Sequence, residues 1–363
     1  MVLLLKDFMA IPLEEKIRKR LKNLPEFIAD YIYRLENVKE IQTLFEYTKD
    51  LQSFMEFLYQ HDRFHAPSVE DITMEQMALV TERDVLDYLQ YLKSYRKTHM
   101  SVTGKSVSTT YRNGDSGRSR KLATLHKFFA DLERRKDIPL DPSKHLEIKV
   151  NKKAKIKNRL SPEQIERFFG VIRGDMHTVT DMEKAFHEKV KYRDSVLTLL
   201  LAFTGIRISE CVQLDTTDIH LEEDGNYLVV VRKGGDEEVI PLPDHVAFEL
   251  KKYLEFRKEL TALPEKQHQN ALFLSLQKKR IHPKTVRQLL EKYQQRSDID
   301  IKITPHVFRR TFGTNHYNQF QDMYLTAQVL GHASAETTRK FYADPDAERV
   351  AQSMKEFQYK KRE

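Results

Sequence analysis

The spacing of apolar side chains along the first part of the chain predicts a mostly helical unit. Apolar residues recur at helical intervals over 44–58, as on one buried helix face: Leu44, Tyr47, Leu51, Phe54, Phe57 and Leu58. Asp84 reads as the N-cap of a second helix, which carries Val85, Leu86, Tyr88, Leu89 and Leu92. A third helix is predicted over 118–132, with a buried face of Leu122, Leu125, Phe128, Phe129 and Leu132. Pro139 and Pro142 then interrupt the helical pattern.

A second unit is predicted from about residue 160 onward, and it also begins as a helix. Ser161, Pro162 and Gln164 combine an N-cap, a proline at the first helical position and a capping-box partner. A buried helix is predicted over 192–203, and a short helix follows from about Ile208 after a glycine break.

The only clear strand pattern lies in this second unit. Residues 227–232 and 239–242 are rich in β-branched side chains and flank a turn that contains Gly234 and Gly235. The chain after about Thr285 again has a helical pattern. The predicted fold class is therefore mainly α, with a small antiparallel β-sheet in the C-terminal domain.

Composition narrows the class of protein. The chain has 363 residues, which suggests two domains, and its 61 Lys+Arg exceed its 54 Asp+Glu by seven. Its single cysteine, Cys211, cannot form an intramolecular disulfide, as expected in a reducing compartment. The apolar run at 1–5 is broken by Lys6 and Asp7 and is too short for a secretory signal, and 196–203 is too short to span a membrane. We expect a soluble intracellular protein.

A run of positive charge separates the two predicted units. Residues 149–159 carry six cations and no acid: Lys149, Lys152, Lys153, Lys155, Lys157 and Arg159. Such a run is either an exposed tether or a strap that follows a phosphate backbone, because each neutralised phosphate releases counterions. The residues alone leave both interpretations open.

Two familiar motifs are incomplete. Residues 103–106 resemble the end of a P-loop, but His99 occupies the required upstream glycine position and no strand is predicted before it. His61 and His65 have the spacing of a zinc-binding helix, but Asp62 follows where a metalloprotease has Glu. With no cluster of carboxylates either, neither nucleotide nor metal chemistry is expected.

An ordered set of polar residues remains in the second unit. Each feature is a weak signal alone: an arginine after a glycine turn at a helix start, a lysine on the hairpin turn, a histidine and an arginine at i and i+3, a histidine after a helix-ending glycine, and a tyrosine ten residues later. These residues are Arg207, Lys233, His306, Arg309, His332 and Tyr342.

In this order, the set resembles the tyrosine recombinase (integrase) family over nearly all of the second unit. The resemblance implies a two-domain, C-shaped clamp of tyrosine recombinase type. A helical, SAM-like core-binding domain would span 1–148, a basic interdomain linker 149–159, and the catalytic domain 160–363 with a tail helix at 346–363. It implies Arg207 and Arg309 as the catalytic arginines, Lys233 as the hairpin lysine, His306 and His332 as the histidines, and Tyr342 as the nucleophile, with no cofactor or metal.

The residue types fit this chemistry. A tyrosine phenol with a pKa near 10 needs a base or nearby cations before it attacks a phosphodiester. Two guanidiniums clamp the non-bridging oxygens, and a lysine protonates the leaving 5′-oxygen. The sequence departs from the family pattern at Arg310, where many relatives have His, and at 343–344, where Ala-Asp replaces a common Thr-His. Neither departure touches an implied catalytic group.

Within the family, the predicted organisation of two domains without an extra amino-terminal arm-binding domain resembles the Xer group, which resolves chromosome dimers. The length is closer to the single-protein XerS type than to the paired types. An integrase or resolvase of a phage, plasmid or transposon is an alternative, and a non-catalytic DNA-binding protein is an alternative of another class. A type IB topoisomerase is disfavoured by the tail.

The implied partners are double-stranded DNA with an inverted-repeat core site and further copies of the chain, as a tetramer on two duplexes, without a membrane. An FtsK-type DNA translocase as a further partner is left open. DNA contacts are expected from the linker cations together with Arg118 and Arg120, in a cytoplasmic, nucleoid-associated protein.

Overall fold

The computed structural model describes residues 12–100, 106–150, 158–174, 180–222, 225–232, 234–259 and 266–331. The chain divides into two compact units, Met1–Lys155 and Ile156–Glu363. Several predictions fall outside the described residues: those for the tail helix at 346–363 and for Lys152, Lys153, Lys155, Lys157, Lys233, His332 and Tyr342.

The described part of the first unit is mainly helical, as predicted. Its helices are α1 (Leu13–Leu21), α2 (Glu26–Leu35), α3 (Ile41–Gln60), α4 (Met74–Met77), α5 (Glu82–Tyr91) and α6 (Asp115–Arg135). The apolar faces predicted over 44–58 and 118–132 belong to α3 and α6, and every residue named for them is buried in one core. Burial of these stripes is what stabilises helices of otherwise ordinary propensity.

The N-cap prediction at Asp84 is wrong by one helical turn. Thr81 is the N-cap of α5, and Asp84 is its capping-box partner at the third helical position. The Asp84 carboxylate accepts a hydrogen bond from the Thr81 backbone N–H at 2.8 Å, while the Thr81 hydroxyl accepts one from the Asp84 N–H at 3.4 Å. Asp84 also binds Arg63 at 2.8 Å, which explains an acidic side chain one turn into the helix.

The first unit also contains a β-hairpin that the sequence pattern did not predict. Strands β1 (Tyr95–Met100) and β2 (Ser106–Tyr111) pair antiparallel, with Tyr95 opposite Tyr111. Residues 106–111 are hydroxyl, β-branched and aromatic side chains, which favour strands over helices. Because most of β2 is exposed on both faces, it lacks the alternation of apolar and polar residues that usually reveals a strand.

The described part of the second unit is helical around one three-stranded sheet. Its helices are α7 (Pro162–Arg173), α8 (Asp181–Phe203), α9 (Ile208–Gln213), α10 (Asp244–Glu259), α11 (Pro283–Gln294), α12 (Pro305–Phe320) and α13 (Met323–Leu330). Strands β3 (Ile219–Glu222), β4 (Gly225–Val231) and β5 (Glu237–Pro241) are antiparallel in the order β3-β4-β5. The predicted hairpin is β4–β5, and β3 adds a strand at the edge.

Helix α8 is the central element of this unit. Leu197, Leu200 and Leu201 on it are completely buried in a core to which the neighbouring helices and the sheet also contribute. The helix begins at Asp181, well before the predicted start at residue 192. The pattern did not predict this first half because it is polar and lacks a continuous apolar face. The capping box of Ser161 and Gln164 on α7 is present as predicted. No described helix is both long and apolar enough to cross a membrane.

Candidate active site

A glycine turn after α8 delivers the first predicted arginine. Gly205 has φ +64°, and a β-carbon there would lie 2.5 Å from Phe312 Cδ1, so only glycine fits. The turn places Arg207 at the N-cap of α9. Glu210 accepts a hydrogen bond from the Arg207 backbone N–H at 2.6 Å and another from Arg207 Nη1 at 2.7 Å. The same carboxylate therefore closes the helix start and orients the guanidinium.

The second predicted arginine reaches the same place from a different helix. Arg309 lies on α12 and is 5% exposed. Its guanidinium donates to the carbonyl of Gly205 and to the carbonyl of Leu330 at the end of α13. Arg207 Nη2 donates to the next carbonyl, that of Gly331, at 3.2 Å. The fold thus brings Arg207 and Arg309 together at the C-terminus of α13.

A third arginine, Arg232 directly after β4, completes what we call the arginine cluster (Arg207, Arg232 and Arg309). Arg232 donates to Glu238 at 2.6 Å, to Glu210 at 2.9 Å and to the carbonyl of Val329 at 3.4 Å. Three consecutive carbonyls, those of residues 329–331, therefore each accept from one guanidinium. The last carbonyls of a helix lack intrahelical partners and carry the negative end of its dipole, so cations are stabilised there.

The opposite charges in and around the arginine cluster each favour the ionised form of their neighbours. Burial acts to raise the pKa of Glu210, but the backbone N–H and guanidinium of Arg207 and the charge of Arg232 outweigh it and lower the pKa. Burial acts to lower the pKa of Arg232, and Glu238 and Glu210 reverse that direction. Glu210 is consequently ionised at neutral pH. Three guanidiniums face two carboxylates, which leaves one positive charge, and the Arg207 side chain is 36% exposed. An anionic oxygen can therefore approach Arg207 from solvent.

His306 lies in the first turn of α12, one turn before Arg309, as the spacing predicted. The residue is exposed, yet partial desolvation of its ring, Arg310 and Arg309 together lower its pKa. The imidazole is therefore neutral at pH 7, with one nitrogen that donates and one that accepts a hydrogen bond. The neighbouring Arg310 donates to the carbonyl of Asn158, near the start of the unit, at 3.4 Å.

Two of the candidate catalytic residues outside the described part of the chain, Lys233 and His332, directly follow Arg232 and Gly331 in the sequence. Lys233 comes after Arg232, whose N–H donates to the Asp236 carbonyl at 2.7 Å across the hairpin turn. His332 comes after Gly331, which ends α13 in the left-handed conformation, as predicted for a helix C-cap. Lys233, His332 and Tyr342 themselves lie outside the described residues.

The candidate DNA-contact residues fall into two groups. Arg118 binds Asp115 at 2.6 Å, and Arg120 binds both oxygens of the buried Asp50 at 2.6 and 2.8 Å. Both arginines are thus engaged within the first unit. Lys149 and Arg159, at the two ends of the basic run, are exposed.

Two members of the site were missed in the sequence. Glu210 had a visible signal, since it stands three residues after Arg207 at a helix start and so fits a capping box. Arg232 had none, because its contacts to Glu210 and to the carbonyl of Val329 exist only after folding. Among the residues that the structure describes, no group of three or more His, Cys, Asp or Glu is placed to hold a metal ion.

Comparisons with known proteins identify the family. The model of the phage integrase family matches residues 158–349. Tyrosine recombinase XerS of Streptococcus uberis is 28% identical over 340 residues, which are 89% of this chain and 93% of the relative. Tyrosine recombinase XerD of Oceanobacillus iheyensis is 27% identical over 77% of this chain and 91% of its own length.

Solved structures agree at the level of the fold. XerH recombinase bound to a palindromic difH substrate aligns with a TM-score of 0.64 at 20% identity, over 91% of this chain and 84% of that one. The Tn1549 transposon integrase in complex with circular intermediate DNA aligns with a TM-score of 0.62 at 19% identity, over 91% and 98%. The chain belongs to the phage integrase family, as a Xer-like tyrosine recombinase.

Proposed function

We propose that this site-specific recombinase cuts DNA by attack of the Tyr342 phenolate oxygen on a backbone phosphorus. The bond from phosphorus to the 5′-oxygen breaks, the 5′-oxygen takes up a proton, and the 3′-phosphate stays on the tyrosine. Attack by the 5′-hydroxyl of a partner strand reverses the step and releases the tyrosine. The phosphodiester energy is kept in the covalent intermediate, so rejoining needs no ATP.

Arg207 and Arg309 hold the non-bridging oxygens of that phosphate. The observation that carries this proposal is their convergence: they donate to the adjacent carbonyls of Gly331 and Leu330. Guanidiniums fixed before the substrate arrives need no reorganisation when charge develops in the transition state. Loss of one such donor costs about 3 kcal/mol of transition-state stabilisation. Arg232 and Glu210 touch no substrate in this scheme and act as positioning residues.

Proton transfer falls to the remaining groups. Lys233 protonates the leaving 5′-oxygen as general acid, and its place on the turn after Arg232 puts it next to the arginine cluster in sequence. His306 and His332 complete the set. His306 is neutral at pH 7 because its pKa is lowered, so it can both donate a hydrogen bond and accept a proton.

The biological role that the relatives favour is Xer-type resolution of chromosome dimers. The XerS relative of Streptococcus uberis is matched over 93% of its length, so both units have counterparts there. We infer a core-binding domain over 1–148 and a catalytic domain over 160–363, on an inverted-repeat site in nucleoid DNA of the cytoplasm. Four copies would act on two duplexes, each docking its tail at 346–363 on a neighbour, with an FtsK-type translocase as a candidate activator. Recombination confined to the attachment sites of a mobile element would reassign the role to an integrase.

DNA is held in this proposal by the basic residues of the linker and the first unit: Lys149, Lys152, Lys153, Lys155, Lys157, Arg159, Arg118 and Arg120. Lys149 and Arg159 are both exposed, so their charges can reach phosphates from the two ends of the linker. Arg118 and Arg120 keep Asp115 and Asp50 as partners, so their contribution to DNA binding is smaller.

The test is a covalent adduct on a nicked suicide substrate, measured on denaturing gels. Wild type should form a protein–DNA adduct, and Tyr342→Phe should bind the duplex equally well but form none, because only one hydroxyl is removed. Tyr324→Phe is the matched control, since Tyr324 is a 78% exposed tyrosine on α13 and should keep full activity. An adduct with Tyr342→Phe would reject the nucleophile, and binding without any wild-type adduct would favour the non-catalytic DNA-binding alternative.

A further inference from the structure

Among the described side chains of the β1–β2 hairpin in the first unit, only Tyr95 at its base packs against the hydrophobic core of that unit. The strands follow α5 and precede α6, and they pair over six positions from Tyr95 opposite Tyr111 to Met100 opposite Ser106. Side chains on β2 are exposed at every position but one. A two-stranded ribbon with both faces open to solvent is marginally stable by itself, so this one needs an anchor.

Aromatic rings and one ion pair anchor the base of the ribbon. The rings of Tyr95 and Tyr111 stack with centroids 5.5 Å apart, and Tyr95 lies 4.9 Å from Tyr91 at the end of α5. Tyr91 in turn contacts Phe57 of α3 at 5.1 Å. Lys97 of β1 binds Glu56 of α3 at 2.6 Å. The ribbon therefore projects from α3 and α5 in a defined direction.

The pairing register separates the anchored face from an outward face. Tyr95, Lys97 and their partners Tyr111 and Thr109 share the anchored face. On the other face, Arg96 lies opposite Thr110 and Thr98 lies opposite Ser108. All four of these outward residues are exposed. These four residues present one guanidinium and three hydroxyls and no carboxylate.

Charge along the segment is of one sign. Residues 93–114 contain five lysines and arginines and no aspartate or glutamate: Lys93, Arg96, Lys97, Lys105 and Arg112. Lys93, Arg96 and Arg112 are exposed, and only Lys97 makes an ion pair among the described side chains of the segment. The whole chain has a charge of +7, so a stretch of this length without any acid is a local concentration of positive charge.

We propose that this ribbon is a DNA-contacting arm whose outward face (Arg96, Thr98, Ser108 and Thr110) lies against a groove of the duplex. The major groove of B-DNA has the width to admit a two-stranded ribbon. Arginine and hydroxyl side chains are the donors and acceptors that proteins use on phosphates and base edges. The proposal rests on the proposed function only in that the recombinase binds duplex DNA. It adds a contact surface separate from the arginine cluster and from the basic linker.

In this proposal, the charged side chain and the hydroxyl side chains of the ribbon contribute to DNA binding in different ways. Arg96 contributes a phosphate contact or a base contact, and either one adds to the salt dependence of binding. Thr98 and Thr110 carry no charge, so their contribution is to hydrogen bonding at the groove and to the choice of site. The two kinds of substitution should therefore have separable effects.

The experiment compares Arg96→Gln, the pair Thr98→Val with Thr110→Val, and Arg83→Gln in the full chain. Arg83 is the matched control, because it is an exposed arginine on α5 of the same unit and is paired with Asp87. Binding to a single core site and to unrelated duplex is measured over a range of salt concentrations. Arg96→Gln should weaken both kinds of binding about tenfold and reduce the salt slope by about 1.

The valine pair keeps the β-branched shape and should reduce the ratio of specific to unrelated binding with an unchanged slope. Valine at both positions also favours the strand, so the hairpin itself should survive. Arg83→Gln should leave affinity and slope as in wild type. If Arg96→Gln and the valine pair both bind like wild type, the arm is refuted while the adduct assay still supports the recombinase. If wild type fails to bind any duplex, the proposed function falls instead.

Discussion

The guanidinium of Arg232 packs directly on the α-carbon of Gly331. A β-carbon at residue 331 would lie 2.5 Å from Arg232 Cζ and 2.5 Å from Arg232 Nε. Arg232 cannot withdraw freely, because Glu238 and Glu210 hold it at 2.6 and 2.9 Å. Gly331 also has φ +59°, so the residue must be glycine both for its backbone and for its neighbour. This contact joins the end of α13 to Arg232, the residue directly before Lys233 in the chain.

Gly331→Ala should therefore destabilise the second unit and disable the site. The left-handed backbone costs an alanine about 1 kcal/mol, and displacement of a paired guanidinium adds about 1–3 kcal/mol. We expect a lower melting temperature and at least tenfold slower adduct formation, with duplex binding retained. Gly225→Ala is the matched control, because Gly225 has φ +147° but no atom within 4 Å of the added β-carbon. Equal effects of the two substitutions would show that only backbone strain matters.

Glu210→Gln should lower the free energy of unfolding, although glutamine has nearly the same shape as glutamate. The side chain is 4% exposed and serves Arg207 and Arg232 together, so removal of its charge leaves two guanidiniums without their shared partner, at a cost of about 3 kcal/mol. Glu238→Gln is the control, since Glu238 binds only Arg232 among these arginines and is 30% exposed. Chemical denaturation should show a much smaller loss for Glu238→Gln. Similar losses would mean that the double role of Glu210 is unimportant.

Glu210 should also account for part of the loss of stability at acid pH. The pKa of Glu210 in the folded state is below its ordinary value of 4.5, so the carboxylate contributes stability that is fully present above that value. This contribution is lost as pH falls through the folded pKa. The loss of unfolding free energy between pH 5 and lower pH should therefore be shallower in Glu210→Gln than in wild type. Parallel pH profiles would contradict the assignment.

Lys233 and Arg207 should respond differently to the leaving group. If Lys233 protonates the 5′-oxygen, Lys233→Ala should cleave ordinary DNA very poorly but recover on a substrate with sulfur at the bridging 5′ position, whose leaving group needs no proton. Arg207→Ala should fail on both substrates, because its role is to hold the non-bridging oxygens. Cleavage rates are measured from adduct formation. Failure of both variants on the sulfur substrate would pass the acid role to His306 or His332.

The basic linker should contribute to affinity through charge alone. Replacing Lys152, Lys153, Lys155 and Lys157 with Ser should weaken specific and unrelated duplex binding alike and flatten the salt dependence. The same four positions changed to Arg keep the charge and should preserve both quantities. Binding titrations at several salt concentrations decide the matter, and an unchanged slope in the Ser variant would make the run a tether only.

Local patterns in the sequence determined most of the secondary structure. The stripe from Leu44 to Leu58 and the capping box of Ser161 and Gln164 involve residues within one or two helical turns, so their spacing alone carries the information. Helix starts were harder, because Thr81 and Asp84 can each act as an N-cap and only the backbone conformation distinguishes them. The hairpin of β1 and β2 was not predicted, because β2 is exposed at five of its six positions and so lacks the alternation of apolar and polar residues that reveals a strand.

The active-site residues in the sequence were recognisable as an ordered set, but their geometry was decided by the tertiary structure. Arg207 follows α8, Arg232 follows β4, and Arg309 lies on α12, so no spacing in the chain relates them. They meet because the end of α13 offers three carbonyls that no residue of its own helix can satisfy. Glu210 was visible as a helix cap, whereas its ion pair with Arg232 depends on packing of α9 against the sheet. The sequence alone determined which side chains are available for the chemistry. Folding decided which of them form ion pairs, because electrostatic interactions depend on distance in space and not along the chain.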